Sequence, residues 1–275
     1  MRFREICDIL KNAGIEGYLH EASLLLERFC GVSPSSLPLV KEKDFDVSEL
    51  SDAVQKRADR YPLQYILGYW YFYEEKYIVN ENCLIPRSDT EILVELAVKH
   101  LPPCAVFADL CTGSGCVAVS VLKHRPDTSA YALDLFEDTL KLAETNAKLN
   151  GVSDRFVPMK HDVLCPCEFC GTEDGLDAIL SNPPYIKTQT INTLEPELTH
   201  EPHAALDGGE DGLVFYRAIL DNHLCHLKQD GFIVFEIGFD QANDVGRLAE
   251  LHGLSADIIK DFSGNDRVAL LKKLH

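Results

Sequence analysis

From residue 105 to residue 252, short apolar runs alternate with amphipathic segments, and no other feature restricts the fold as much. The runs 105–110, 130–134, 156–160, 176–181 and 232–237 have strand length. Helical periodicity occupies about 116–124, 137–149 (closed by Gly151), 211–228 and 240–252. Strands that alternate with helices must bury both faces, which predicts an α/β domain with a parallel sheet covered on both sides. The end breaks the pattern, because "LSADIIKDFSGNDRVALLKKL" reads as two strands around Ser263-Gly264-Asn265, an antiparallel hairpin.

The first ~73 residues read instead as helices. In "EASLLLERF" Ala22, Leu25, Leu26 and Phe29 fall on one helical face, and Leu50 and Val54 do the same in a helix that should stop before Pro62. "YWYFYEEKYIVNENCLI" is dense in aromatic and β-branched residues around a charged turn, which predicts a β-hairpin. Ser88, three residues before Glu91, has the spacing of a capping box ahead of "ILVELAVKHL". The expected domains are a helical 1–68 that docks substrate, a hairpin linker 69–86 and a catalytic 87–275.

The formal charge is −18, and residues 1–73 carry nine basic and eleven acidic side chains, so −16 lies beyond them. A phosphate-binding track needs clustered Lys and Arg, and the chain has none, which argues against nucleic acid as substrate. No apolar run reaches the ~18 residues of a membrane span, and "MRFREICDIL" lacks the apolar core of a secretion signal, so the cytoplasm and no membrane are expected. The ten cysteines are then reduced, with Cys7, Cys30, Cys104, Cys116 and Cys225 expected as small core residues. Cys165, Cys167 and Cys170 cluster downstream of His161, but zinc sites usually gather ligands as two separated pairs, so a polar loop and no metal are expected.

The first strand of the alternating region runs into "FADLCTGSGCVAVS". Asp109 closes the strand, and Cys111, Thr112, Gly113, Ser114 and Gly115 form a turn opening a helix, where a ligand can lie against backbone amides. A dinucleotide fingerprint would need a third glycine where Ala118 stands, so nicotinamide and flavin are disfavoured. The second strand delivers Asp134, placed to accept ribose hydroxyls, and the third delivers Asp162, near an adenine amino group. Three acids on successive strand ends suit a cationic nucleoside, and S-adenosylmethionine, leaving as S-adenosylhomocysteine, is such a ligand.

The fourth strand ends in "AILSNPPYIK". Two prolines end the strand and stiffen the backbone beyond it, which suits a site as well as a turn. An amide nitrogen is a poor nucleophile because its lone pair is delocalised. If the Asn182 oxygen and the Pro183 carbonyl each accept one of its N–H groups, the lone pair is aimed at the methyl group, with Pro184 holding the backbone and Tyr185 packing on the planar substrate. No general base is then required.

The "NPPY" run behind a glycine turn resembles the S-adenosylmethionine-dependent amino-group methyltransferases. With "YPLQYILGYWYF", "LIPRSDTEILVE" and "EPHAALDGGEDGLVFYRAIL" it resembles, across nearly the whole chain, the bacterial peptide-chain release factor glutamine methyltransferases of the PrmC/HemK type. The resemblance implies a seven-strand class I methyltransferase domain behind a small helical domain and a hairpin linker. It also implies methylation of the glutamine amide in the Gly-Gly-Gln loop of release factors by an enzyme expected to be a monomer. Cofactor contacts would come from Cys111 to Gly115, Asp134, Asp162, Val163 and Asn182, and the substrate glutamine would sit on Asn182 to Tyr185. Arg87, Glu91, Glu201 and Pro202 match further motif positions with a supporting or substrate-side role. The family usually has glycine where Cys111 stands, a change that is tolerable if φ there is negative, and proline where Ser88 stands. A nucleic-acid amino-group methyltransferase and a non-catalytic nucleoside-binding module are the alternatives.

Overall fold

The computed structural model describes residues 1–40, 42–166 and 175–274. They form two compact units, one of Met1–Tyr69 with Leu194–His200, the other of Trp70–Thr193 with Glu201–His275.

The first unit holds α1 (Phe3–Asn12), α2 (Tyr18–Cys30), α3 (Leu37–Val40), α4 (Ser48–Ala58) and α5 (Leu63–Leu67). The apolar periodicity becomes its core: Ala22, Leu25, Leu26 and Leu50 are fully buried and Val54 nearly so, while Phe29 is half-buried. Helix α4 stops at Ala58, ahead of Pro62. Glu197, from the returning segment, accepts from Arg57 Nη1 at 3.0 Å and Arg60 Nη2 at 2.9 Å. Arg57 also reaches Glu21 through Nε at 2.6 Å, so one buried guanidinium holds two carboxylates.

The second unit begins within β1 (Tyr69–Phe72), which makes a hairpin with β2 (Glu75–Ile78). There follow α6 (Glu91–His100), β3 (Val106–Leu110), α7 (Cys116–His124), β4 (Ser129–Asp134), α8 (Glu137–Leu149), β5 (Phe156–Lys160) and β6 (Leu176–Ser181). The rest is α9 (Val214–His223), β7 (Leu227–Glu236), α10 (Ala242–Leu251), β8 (Leu254–Lys260) and β9 (Asp266–Lys273). Seven strands make one sheet in the order β5-β4-β3-β6-β7-β9-β8, with β9 antiparallel to both neighbours and the other pairings parallel. This is the expected mostly parallel sheet closed by an antiparallel last strand. The strand order reverses beside β3, with β4 on one side and β6 on the other, and open α/β sheets bind ligands at the C-terminal ends flanking such a point.

Three local expectations are corrected. Helix α9 ends at His223 and β7 starts at Leu227, within the segment read as helix. The polar lead Lys228–Asp230 carries no strand signal, and what extends the strand is the pairing of Leu227 with Leu176, backed by a 2.9 Å Lys228–Asp177 ion pair. The capping box does not form, because Ser88–Thr90 makes a 3-10 turn and Glu91 Oε1 accepts the Tyr73 N–H at 2.9 Å. Among the cysteines read as core, Cys7 and Cys116 are buried, Cys30 is half-buried, and Cys104 and Cys225 are exposed. Cys165 is exposed, Cys167 and Cys170 lie outside the described residues, and no metal-ligating group of three side chains stands together among those described. Among the described residues no helix is long and apolar enough to cross a membrane.

Candidate active site

A cleft of about 1110 Å³, counted out to the solvent at its mouth, lies in the second unit at the C-terminal ends of β3, β4 and β6. The turn after β3 forms its floor, with Cys111, Thr112, Gly113 and Ser114 among the lining residues. Its two glycines serve different ends. At Gly113 (φ +56°) a Cβ would meet nothing within 4 Å. At Gly115 (φ +81°), which caps α7, a Cβ would stand 3.1 Å from Ala143 Cβ and 3.3 Å from Ala143 Cα. Gly115 is therefore where α7 and α8 approach closely, and it does not line the cleft. The fully buried Asn146 carboxamide donates to the carbonyls of Ile78 at 3.0 Å and Ser114 at 2.9 Å, tying the hairpin to the turn.

Cys111 has φ +60°, so the negative φ that would make a side chain easy there is not found. A left-handed non-glycine residue costs about 1 kcal/mol. The thiol packs against the sheet core, and burial pushes its pKa well up.

The three acids differ. Asp109 is 1% exposed, and its Oδ2 accepts from Thr112 Oγ1 at 2.6 Å and the Ala118 N–H at 3.1 Å, holding the turn onto α7 from beneath. Burial pushes its pKa up to about 7. Asp134 accepts the Gly113 N–H at 3.0 Å and the Phe136 N–H at 3.1 Å, one on each oxygen, and burial raises its pKa. A carboxylate offers about four acceptor positions, so acceptor capacity remains for a ligand. Asp162 closes a turn by accepting the Leu164 N–H at 3.0 Å, and Val163 beside it is buried. All three acids line the cleft, as does Val163.

The Asn182–Tyr185 run leaves β6 at the same rim. Asn182 and Pro184 line the cleft and Pro183 is buried. Tyr185 packs against the sheet core and its hydroxyl donates to Glu236 Oε1 at 3.1 Å. The backbone beyond is clamped: Ile186 N–H donates to Leu206 O at 3.0 Å, Gly208 N–H to Ile186 O at 2.8 Å, and Gln241 Nε2 to Tyr185 O at 3.0 Å. A Cβ at Gly208 would fall 2.6 Å from Tyr185 Cα, and one at Gly212 would fall 2.5 Å from Tyr185 O. Only glycine lets "DGGEDG" lie against this run.

Of the motif positions given a supporting role, Arg87 and Glu201 form an ion pair, and the buried Glu201 also accepts the Ile85 N–H at 3.0 Å. Arg87 and Pro202 line the cleft, while Glu91 and Glu201 do not. Two residues that sequence reasoning passed over support Asn182: Thr90, which lines the cleft beside it, and Glu236 behind them. Asn182 Nδ2 donates to Thr90 Oγ1 at 3.2 Å, and Thr90 donates to Glu236 Oε2 at 2.5 Å. Leu135 and Phe136, also unremarked, add apolar wall; their place directly after Asp134 was the available signal.

A seven-strand sheet of this order, with a glycine turn and acids around a cleft at its switch point, defines a class I, Rossmann-like methyltransferase. Solved structures agree on the fold: a methyltransferase from Pyrococcus furiosus matches with TM-score 0.53 at 19% identity, covering 72% of this chain and 89% of that one. A ribosomal protein L11 methylase from Lactobacillus delbrueckii subsp. bulgaricus matches with TM-score 0.50 at 20% identity, covering 72% and 84%. The family models of the PrmC N-terminal domain and of the methyltransferase small domain match residues 3–68 and 88–228. Release factor glutamine methyltransferase of Caulobacter vibrioides is 36% identical over 270 residues, covering 96% of this chain and 92% of that protein. That of Thermodesulfovibrio yellowstonii is 38% identical over 237 residues, covering 82% and 81%. The chain belongs to the release factor glutamine methyltransferase family.

Proposed function

We propose that this protein transfers a methyl group from S-adenosylmethionine to the side-chain amide nitrogen of the glutamine in the Gly-Gly-Gln loop of peptide-chain release factors. The observation that carries this reading is the orientation of Asn182. Its amide nitrogen is engaged by Thr90, which leaves the oxygen as the end that accepts a substrate N–H at the cleft.

The cleft fits the cofactor by its chemistry. Ser114 Oγ, buried in the floor, has no hydrogen-bond partner among the described residues, and the space over Gly113 admits a ligand against the backbone. Asp134 would hold the ribose hydroxyls, Asp162 and Val163 the adenine, and Leu135 and Phe136 an apolar side of the nucleoside. Asp109 supports the turn from beneath. When bound, S-adenosylmethionine supplies a methyl carbon on a positively charged sulfur, open to attack by a nitrogen lone pair.

Asn182 and the Pro183 carbonyl grip the substrate NH2 and turn its lone pair toward the cleft floor. Holding the attacking atom in line supplies much of the rate, since orientation alone contributes about 7–11 kcal/mol in well-aligned reactions. The prolines and the glycine-rich clamp keep these acceptors from relaxing. Residues 1–68 dock the release factor, 69–86 join the domains, and 87–275 carry the chemistry. Free thiols and an acidic surface suit a monomeric cytoplasmic enzyme acting on a protein.

Mass spectrometry of a release factor incubated with the protein and S-adenosylmethionine tests the reading. A gain of one methyl group on the loop glutamine, absent from a Gln→Ala substrate, is expected. Equal labelling of both substrates, or methylation of DNA or RNA instead, overturns it.

A further inference from the structure

The Asn182 carboxamide has two ends of nearly equal shape and opposite hydrogen-bonding character. An amide-gripping site works only if the oxygen faces the substrate NH2. With the NH2 end turned outward, two donors would meet. The end is selected by Thr90, in the cleft wall, and by Glu236 behind it.

Glu236, at the end of β7, is 2% exposed and its carboxylate accepts two hydroxyl protons, from Thr90 at 2.5 Å and from Tyr185 at 3.1 Å. A threonine hydroxyl has a single proton. Once that proton is given to Glu236, Thr90 Oγ1 can only accept from its other neighbour, and that neighbour is Asn182 Nδ2 at 3.2 Å. Thr90 is itself 2% exposed, so water does not readily substitute in this chain. Burial raises the Glu236 pKa, and against it the two hydroxyl donors and the charge of Arg267, which pairs with Asp261 at 3.1 Å and Asp89 at 3.4 Å, favour the acceptor form.

We infer that Glu236 and Thr90 are positioning residues that set the polarity of the site: a carboxylate orders a hydroxyl, which orders the Asn182 amide so that its oxygen meets the substrate. The same carboxylate anchors the Tyr185 hydroxyl, so both ends of the Asn182–Tyr185 run are held by one buried group. This selects substrates that present an NH2, such as a carboxamide, over those that present only an acceptor at the reacting atom. The inference rests on the reading of Asn182 as a substrate acceptor.

The test compares Thr90→Val, Thr90→Ser, Glu236→Gln and Asn182→Ala in methylation of a release factor, with S-adenosylhomocysteine affinity measured by calorimetry. Valine matches threonine in shape but cannot accept, so T90V is expected to lower kcat about 10- to 100-fold, the factor for losing a buried hydrogen-bond partner. Its KM and S-adenosylhomocysteine affinity should stay within about twofold, below the effect of one lost hydrogen bond. T90S keeps the hydroxyl and is expected to recover most of that loss, whereas a purely packing role would make serine the worse substitute. E236Q, which offers an acceptor and a donor in place of two acceptors, should fall between wild type and T90V. Wild-type kcat in T90V with N182A inactive overturns the polarity chain and leaves the acceptor role of Asn182 standing. Wild-type kcat in both T90V and N182A overturns the acceptor role and the chain with it.

Discussion

The two glycines of the turn after β3 allow one substitution to be read in two ways, as stability and as affinity. Gly113 and Gly115 both have positive φ, +56° and +81°, so alanine at either position suffers the left-handed strain, about 1 kcal/mol. They differ in what the new methyl meets. At Gly115 it would lie 3.1 and 3.3 Å from Ala143 Cβ and Cα, one of them backbone that cannot swing aside. Overpacking of that kind adds about 1–3 kcal/mol. At Gly113 it would meet no protein atom within 4 Å and would stand at a residue lining the cleft. Gly115→Ala should therefore be the less stable variant by about 1–3 kcal/mol in urea unfolding. Gly113→Ala should lose about tenfold or more in S-adenosylhomocysteine affinity, a steric loss of about 1.4 kcal/mol. Adding Ala143→Gly to Gly115→Ala should relieve the contact, giving a favourable coupling beyond the ~0.5 kcal/mol expected of independent sites. Equal stability of the two single variants with zero coupling would refute the packing account. Unchanged affinity in Gly113→Ala would refute the placement of the ligand over the turn.

Three further outcomes are expected. Asn182→Ala should keep S-adenosylhomocysteine affinity and lose about 100-fold or more in transfer, while Asp134→Ala should lose about 10- to 100-fold in affinity first; calorimetry and mass spectrometry separate the two. Asp109, raised from 3.8 to about 7 by burial, favours the fold in its neutral form, so its contribution is complete below about pH 4 and is lost as pH rises through about 7. The gap of about 3 pH units is worth about 4 kcal/mol, so the stability of Asp109→Asn relative to wild type should improve by up to that amount between pH 4 and 8, read by urea unfolding. In the helical unit, Arg57→Met strands two carboxylates that one buried guanidinium now holds, and should destabilise that unit by about 3 kcal/mol while leaving S-adenosylhomocysteine affinity unaltered.

Much of the architecture is legible in the chain because periodicity reports burial directly. The alternation from 105 to 252 requires a sheet with two covered faces, and the hydrophobic spacing in α2 and α4 requires one buried side each, whatever their neighbours. The glycine turn, the acids at strand ends and the stiff Asn182–Tyr185 run are equally local, since each follows from residue type at a strand terminus. Groups whose role depends on a distant partner are not readable in this way. Glu91 looked like a helix cap until Tyr73 claimed it, and Leu227 and Lys228 looked helical until β6 paired with Leu227. The separate duties of Gly113 and Gly115 depend on how the turn meets α8. Thr90 and Glu236 stand 146 positions apart in the chain, and their hydrogen bond exists because β7 ends beside the turn ahead of α6. Residue chemistry alone thus determined which groups could serve the reaction. Tertiary structure decided which way they face, because the direction of a hydrogen bond is set by both of its partners and these lie far apart in sequence.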